Sequence, residues 1–584
     1  MDIVSVKNLS YRYPTQLEEA FALNNVSFSI SEGECVTILG PTGAGKSTLC
    51  MALNGIVPKV FGGKMTGEII VAGLNTREAN VPDLAQRVGL MFQDPESQFV
   101  GLTVEDELFF GAGNYGLPRE EILERIRWAL QVVRLKGYER REPSTMSGGE
   151  KQRVALAAIL SMKPRVLALD EPTSELDPLG RAEVFDSLKN LKEQEGLTIL
   201  VATHHCEELP GLVDRAIVLN EGQVLLDGRL EDVFQEMDIL TSIGIHPPQV
   251  VEFWKGVEIR LGASLGAAPL TLETACRDFR ELVNQGRVQI ADGRSEAAEF
   301  ASGVDANPAS QANAVRVRDL WFRYPGGLPV LKGIDLDIPA GDYVAIIGQN
   351  GSGKTTLVKH FNGLLKPTQG SVQIFGKDTR TVGTTALSQR VGYAFQNPDH
   401  QIFRPSVWEE VAFGPKNLGF DKERLDQAVS SALQMVGLEA EKDTYPFNLG
   451  KGQRQKLALA SVIAMQSEVL IIDEPTTGLD TRTSLEVLRL LHELNRQGHT
   501  IIVITHDIDL VAENVPRTIA LSQGVLLLEG PTAVVLSQAD LLKETYVTPP
   551  QIMRFGQALA DIGFPCQVAT VQEAIGIVER PGTR

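Results

Sequence analysis

No run of about 18 apolar residues occurs in the sequence, so the chain is not expected to cross a membrane unaided. Cysteine is scarce. The five cysteines, at 35, 50, 206, 276 and 566, are odd in number and include no C-x-x-C pair. That excludes a disulfide framework and points to a reducing compartment. Positive charge is in deficit, with 55 Lys and Arg against 74 Asp and Glu and a net charge of −19. Nucleic acid is therefore not expected as the main partner, because binding a phosphate backbone needs a basic face. The opening residues, MDIVSVKNLSYRYP, carry neither a charged n-region nor an apolar h-region, so no secretory signal is expected. What remains is a composition ordinary for a globular protein, 43% hydrophobic and 22% charged. Its 584 residues are too many for one core.

The chain repeats itself. LGPTGAGKST at 39–48 returns as IGQNGSGKTT at 347–356, and MFQDPESQF at 91–99 returns as AFQNPDHQIF at 394–403. ALDEPT at 168–173 returns as IIDEPT at 471–476, and ATH at 202–204 as ITH at 504–506. The first half carries an excess of five residues between Asn54 and Gly67, in GIVPKVFGGKMTG, against the shorter GLLKPTQG. Short insertions of this kind sit in surface loops. PPQVVEFWKGVEIRLG at 247–262 resembles PPQIMRFGQALADIG at 549–563, so the repeat outlasts the central motifs. Between the halves, 291–314 lacks periodicity and is rich in Ala, Ser and Asn, which reads as a flexible linker. The expected organisation is a first domain over 1–240, its C-terminal appendage over 241–290, the linker, a second domain over 315–540 and a second appendage over 541–584.

Short apolar runs ending in glycine (CVTILG, YVAIIG) precede helix-compatible stretches, and VLALD, VLIID, TILVAT and TIIVIT are further runs of the same kind. Continuous apolar strands suit a parallel sheet covered on both faces, so each half is expected to be α/β.

The pattern G-x-x-x-x-G-K-[ST] occurs twice. It runs through Gly40, Pro41, Thr42, Gly43, Ala44, Gly45, Lys46 and Ser47, with Thr48 next, and through Gly348, Gln349, Asn350, Gly351, Ser352, Gly353, Lys354 and Thr355, with Thr356 next. Its glycines let successive N–H groups point into one concavity that holds phosphate oxygens at a helix N-terminus. Lys46 and Lys354 reach the β- and γ-phosphates, and Ser47 and Thr355 offer hydroxyls to Mg²⁺. One match in a long chain is sometimes a glycine-rich turn with a chance lysine; two in register are not. Asp170-Glu171 and Asp473-Glu474 end apolar strands, where ligands gather in open parallel sheets. The aspartates suit the metal, and the glutamates suit the base that orients the attacking water.

With these motifs in place, each half resembles the nucleotide-binding domain of the ATP-binding-cassette (ABC) family over nearly its whole length. The resemblance implies a P-loop NTPase fold in tandem, each copy with a helical signature subdomain, and ATP and Mg²⁺ as ligands. It implies that Gln93 and Gln396 are Q-loop glutamines that touch Mg²⁺ and relay motion to a membrane partner, and that His204 and His506 are switch histidines on the γ-phosphate. His205 is then a bystander, with a register one residue off as the alternative. Tyr13 and Tyr324 resemble the aromatic that stacks on adenine; a buried core tyrosine is the other reading.

In this family ATP is sandwiched between one domain's phosphate loop and the other's signature helix. The first half has MSGGEKQR, with Ser147, Gly148 and Gly149 in the signature positions. The second has NLGKGQRQ, where Gly450 stands for the serine, Lys451 for a glycine, and Gly452 is retained. The departure falls on the site built on Lys46 and Glu171, whereas the site built on Lys354, Asp473, Glu474 and His506 keeps every group.

The segments FQDPESQFVGLTVEDELFFG and FQNPDHQIFRPSVWEEVAFGPKNLG resemble the ATPase components of energy-coupling-factor transporters, which import vitamins and transition-metal ions. That implies an integral-membrane T-type coupling subunit and a small substrate-binding membrane subunit as partners, and a place on the cytoplasmic face of the membrane. A tandem sugar-importer ATPase is the first alternative. A soluble ribosome-associated ABC ATPase is the second, but the linker, with one arginine and no lysine, is not the basic arm it would need. A coil of that length spans about 25–30 Å, which favours closure of the two halves of one chain on each other.

Overall fold

The apolar runs become the central strands of two compact units in a computed structural model. The structure describes residues 2–14, 21–94, 98–173, 176, 178–291, 312–477, 479 and 481–581. The first unit comprises Met1–Ile259 and Ala263–Ala275, and the second Arg260–Gly262 and Cys276–Arg584.

In the first unit a six-stranded sheet runs in the order Gln223–Arg229, Arg215–Asn220, Cys35–Leu39, Thr198–Thr203, Val166–Asp170, Val88–Met91. All neighbours are parallel except the first pair. Thr198–Thr203 thus lies between the strand that leads into the phosphate loop and the strand that ends in Asp170. Three motifs distant in sequence therefore meet at the carboxyl ends of adjacent strands, where such sheets bind ligands. A four-stranded antiparallel sheet, Leu23–Ser31, Asp2–Arg12, Lys64–Val71 and Leu74–Asn75, shares a core with the helix Lys46–Leu53 and one face of the parallel sheet. The inserted residues after Asn54 are tied to this sheet by the Tyr11 hydroxyl, which donates to the Gly62 carbonyl at 2.7 Å.

The second unit repeats the plan, in the order Val391–Ala394, Val469–Asp473, Thr500–Ile504, Tyr343–Ile347, Arg517–Ser522, Val525–Pro531. Its strands show why the apolar runs have no alternation. Tyr343, Ala345 and Ile347 enter one core and Val344 and Ile346 the other, so both faces are covered. A separate helical layer packs Val407–Asn417, Lys422–Val436 and Lys451–Ile463 around Val411, Val429, Leu433 and Leu457. Its counterpart in the first unit is Val104–Gly113, Arg119–Val132 and Gly148–Ser161.

The strand Asn313–Arg323 begins inside the stretch read as linker, whose residues 292–311 lie outside the described ones. The first appendage divides: its residues from Cys276 onward belong to the second unit. There Gln289–Ile290 pairs antiparallel with Val578–Glu579, and Ala291 N–H donates to the Ile577 carbonyl at 2.9 Å. Phe279, Phe555 and Phe564 pack edge to face with centroids 5.4, 5.5 and 5.9 Å apart, all fully buried. Arg280 forms an ion pair with Asp561. Edge-to-face aromatic triads contribute beyond their buried area. Phe279→Ala is accordingly expected to destabilise the second unit by about 3–5 kcal/mol. Urea unfolding of the full chain reads this directly, and an unchanged transition would show the triad to be dispensable.

Candidate nucleotide site

Each phosphate loop bends through glycines that no other residue replaces cheaply. Gly45 and Gly353 both have φ of +103°, and a Cβ on Gly45 would lie 2.5 Å from the Ala22 carbonyl oxygen. The helices that follow begin at Lys46 and Lys354, so their unpaired N–H groups open onto the loop. Lys46 Nζ donates to the carbonyls of Gly40 at 2.7 Å and Pro41 at 3.2 Å. Lys354 does the same to Gly348 at 2.7 Å and Gln349 at 3.0 Å. Both ammonium groups are buried and held over the concavity.

The carboxylates gather beside them. Lys46 Nζ is 3.4 Å from Glu171 Oε1, and His204 Nδ1 is 2.8 Å from that same oxygen. His506 Nδ1 is 2.8 Å from Glu474 Oε2. His205 instead turns its backbone N–H to Thr203 Oγ1, which assigns the glutamate contact to His204. Both glutamates sit in the left-handed region, with φ of +48° at Glu171 and +52° at Glu474. Non-glycine residues held there cost about 1–3 kcal/mol, and such strain concentrates at functional sites.

The two carboxylates of each pair are driven apart in acidity. Burial pushes Asp170 up to about 6, against a hydrogen bond from Ser47. Burial would also raise Glu171, but the charge and hydrogen bond of His204, with Lys46 behind, hold it down at about 2. The second unit repeats both directions. Asp473 is raised by burial despite bonds from Tyr393 and Thr355, and Glu474 is lowered by His506 and Lys354 acting against burial. Separated acidities of this kind separate roles. The glutamate stays ionised and able to orient water, whereas the desolvated aspartate gains most from a cation.

The residues present fit Mg²⁺. Asp170 Oδ1 and Glu171 Oε2 are buried without a hydrogen-bond partner, and Thr355 Oγ1 donates to Asp473 Oδ2 at 3.1 Å. Among the described residues no cluster of three His, Cys, Asp or Glu side chains forms a metal cage. Mg²⁺ needs none where phosphate oxygens complete its shell. Tyr13 and Tyr324 bond Thr48 and Thr356 at 3.1 and 3.4 Å and lie edge-on against Tyr11 and Phe322. Tyr13 is half-buried and packs against the core of the first unit, and Tyr324 is 43% exposed. Gln93 and Gln396 follow the strands Val88–Met91 and Val391–Ala394, half-buried and exposed respectively.

The signature residues stand apart, opening helices of the helical layers. Ser147 caps the helix Gly148–Ser161 in a capping box, accepting from Glu150 N–H at 3.3 Å and donating its own N–H to Glu150 Oε2 at 2.9 Å. Gly450 caps Lys451–Ile463 with only its N–H, given to Gln453 Oε1 at 3.1 Å. Ser147, Gly148 and Gly450 are exposed, so these helix starts are open to a ligand.

Sequence reading missed two buried glutamates. Glu107 Oε2 accepts from the N–H groups of Val100 at 2.8 Å and Gly101 at 2.7 Å. Glu410 Oε2 accepts from Phe403 and Arg404, both at 2.9 Å. They pin the loop after each Q-loop glutamine. Their signal was the repeat itself, the last acid of VEDE and of VWEE.

The ABC transporter family profile matches residues 23–174 and 331–477. An ABC transporter ATP-binding protein of Caldanaerobacter subterraneus, so named provisionally, is 40% identical over 95% of this chain and 96% of its own. A Bacillus subtilis protein with the provisional name HMP/thiamine import ATP-binding protein is 32% identical over 96% of this chain and 98% of its own. The solved structure of cbiO1 from Clostridium perfringens, described as part of the ABC transporter complex cbiONQ, is 35% identical, covering 41% of this chain and 98% of that one, with a TM-score of 0.37. With two matched regions and full-length relatives, the chain belongs to the ABC transporter family as an ATP-hydrolysing ATP-binding protein that carries the ATPase domain twice.

Proposed function

We propose that this chain energises a membrane importer of energy-coupling-factor type, carrying a vitamin or a transition-metal ion, from the cytoplasmic face of the membrane. The observation that carries the reading is the pinned loop after each Q-loop glutamine. Glu107 ties down the backbone of Val100 and Gly101, and Glu410 that of Phe403 and Arg404, while Val100 is 62% exposed, Leu102 83%, Phe110 56% and Phe403 59%. Exposed apolar residues beside a nucleotide-linked loop suit helices of an integral-membrane subunit. No helix among the described residues is long and apolar enough to span a membrane, so the pathway itself comes from partners. The relative named for HMP/thiamine import makes those two compounds the first cargo to test.

By the family resemblance each ATP would lie between one half's phosphate loop and the other half's signature helix. Lys46 or Lys354 would hold the phosphates, Asp170 or Asp473 with Ser47 or Thr355 would hold Mg²⁺, and Glu171 or Glu474, steadied by its histidine, would orient water. Mg²⁺, when bound, neutralises charge on the transferred phosphoryl group. The site on Lys354 has the serine-capped signature opposite it, and the site on Lys46 has the altered one.

Affinity purification of the tagged chain from detergent-solubilised membranes tests this. A multispanning coupling protein and a small binding protein should copurify; ribosomal particles without membrane proteins would overturn the reading. Glu410→Ala frees the loop and leaves two N–H groups unpaired. It is expected to cut cargo uptake by about tenfold while ATP hydrolysis by the isolated chain stays within about twofold. Parallel loss of both would place Glu410 in the fold rather than in coupling.

A further inference from the structure

We infer that Tyr393 is a positioning residue for the Asp473 carboxylate, present in the second half only, that ties this carboxylate to the Q-loop. Tyr393 and Asp473 lie on parallel neighbouring strands, Val391–Ala394 and Val469–Asp473. The Tyr393 hydroxyl donates to Asp473 Oδ2 at 2.7 Å, and the same oxygen accepts from Thr355 Oγ1 at 3.1 Å. Two donors on one oxygen fix the carboxylate and leave the other oxygen with capacity for a cation or its water. The Tyr393 ring also meets Phe395 edge to face, with centroids 5.1 Å apart. Phe395 directly precedes Gln396, and its N–H donates to Gln401 Oε1 at 3.2 Å. Gln401 in turn donates to the Ala458 carbonyl, in the helix that Gly450 caps, at 2.9 Å. One ring thus joins the metal carboxylate to the Q-loop and, through Gln401, to the signature helix.

The first half has no such link. Leu90 holds the matching place in the register, beside Ala168 where Tyr393 is beside Ile471. Asp170 has a hydrogen bond from Ser47 but no hydroxyl from the neighbouring strand Val88–Met91. The asymmetry between the halves therefore extends beyond the signature motif to the carboxylate itself.

The inference rests on the proposed role of Asp473 in holding Mg²⁺, and the test separates the two. In the full chain, Lys46→Ala silences the first phosphate loop, and binding of a fluorescent ATP analogue is titrated with MgCl₂. Tyr393→Phe keeps the ring against Phe395 and removes only the hydroxyl. It is expected to raise the half-saturating Mg²⁺ concentration on the order of tenfold, as for a lost hydrogen bond to a charged group. Nucleotide binding without Mg²⁺ should not change. An unchanged Mg²⁺ requirement would overturn the inference, as would an equal loss of Mg²⁺-free binding, which marks a merely structural role. Asp473→Asn distinguishes the failures. If it raises the Mg²⁺ requirement and Tyr393→Phe does not, the link alone is wrong; if neither does, the metal role of Asp473 falls as well.

Discussion

Glu474→Gln in the assembled transporter is expected to lower steady-state ATP hydrolysis about 100-fold or more, while Glu171→Gln lowers it only a few-fold. The two glutamates are matched in backbone strain and in their 2.8 Å histidine contacts, and differ nearby in the Thr477 hydroxyl, which donates to Glu474 Oε2 at 3.2 Å while Glu171 Oε2 has no partner among the described residues. The expected difference in turnover comes from what completes each site. By the family resemblance the site built on Glu474 would be closed by Ser147 and Gly149, and Tyr393 stands behind its aspartate. By the same resemblance the site built on Glu171 would be closed by Gly450 and Lys451, and Leu90 stands where Tyr393 does in the second half. Equal losses from both substitutions would refute the asymmetry.

Exchanging the signatures should move turnover in opposite directions. Ser147→Gly removes the hydroxyl proposed to bond phosphate, a contact worth about 1.5–3 kcal/mol, and is expected to slow hydrolysis about 10- to 150-fold. The helix itself loses little, since glycine in place of serine at an N-cap costs only about a few tenths of a kcal/mol. Thermal unfolding should therefore be almost unmoved, which separates a ligand effect from a folding effect. The double substitution Gly450→Ser with Lys451→Gly restores the motif and should raise turnover at the first phosphate loop, read in a Glu474→Gln background. Unchanged turnover in Ser147→Gly would remove the hydroxyl from the chemistry.

Much of the site was legible because its chemistry is local. Phosphate loops and strand-end acids are short motifs, and their repetition in register removes chance. The parallel sheet followed from runs such as VLIID, whose lack of alternation means two covered faces. Strand order was not legible. Nothing in TILVAT says that it lies between the phosphate-loop strand and the Asp170 strand. That His204 is the histidine beside Glu171 needed the path of the chain after Thr203, whose hydroxyl oxygen accepts from the His205 backbone N–H. Glu107 and Glu410 look like solvated acids at a helix start until the loop folds over them. Tyr393 reads as a strand residue, because its partner lies 80 positions away. The pairing of Gln289–Ile290 with Val578–Glu579 involves two-residue strands, too short to show any period.

That last pairing sets a timetable for synthesis. The strand at 289–290 has its partner near the end of the chain, so about 290 further residues must be made before the pair can form. At about 5–20 residues per second this is a wait of roughly 15–60 s on the ribosome. Throughout it Phe279 lacks the two rings that enclose it in the finished protein. A chain released early, with most of its second half but without the last few dozen residues, would carry an intact second phosphate loop and an uncovered apolar seam. That exposed aromatic seam would distinguish such a chain in a way that no nucleotide-binding motif does.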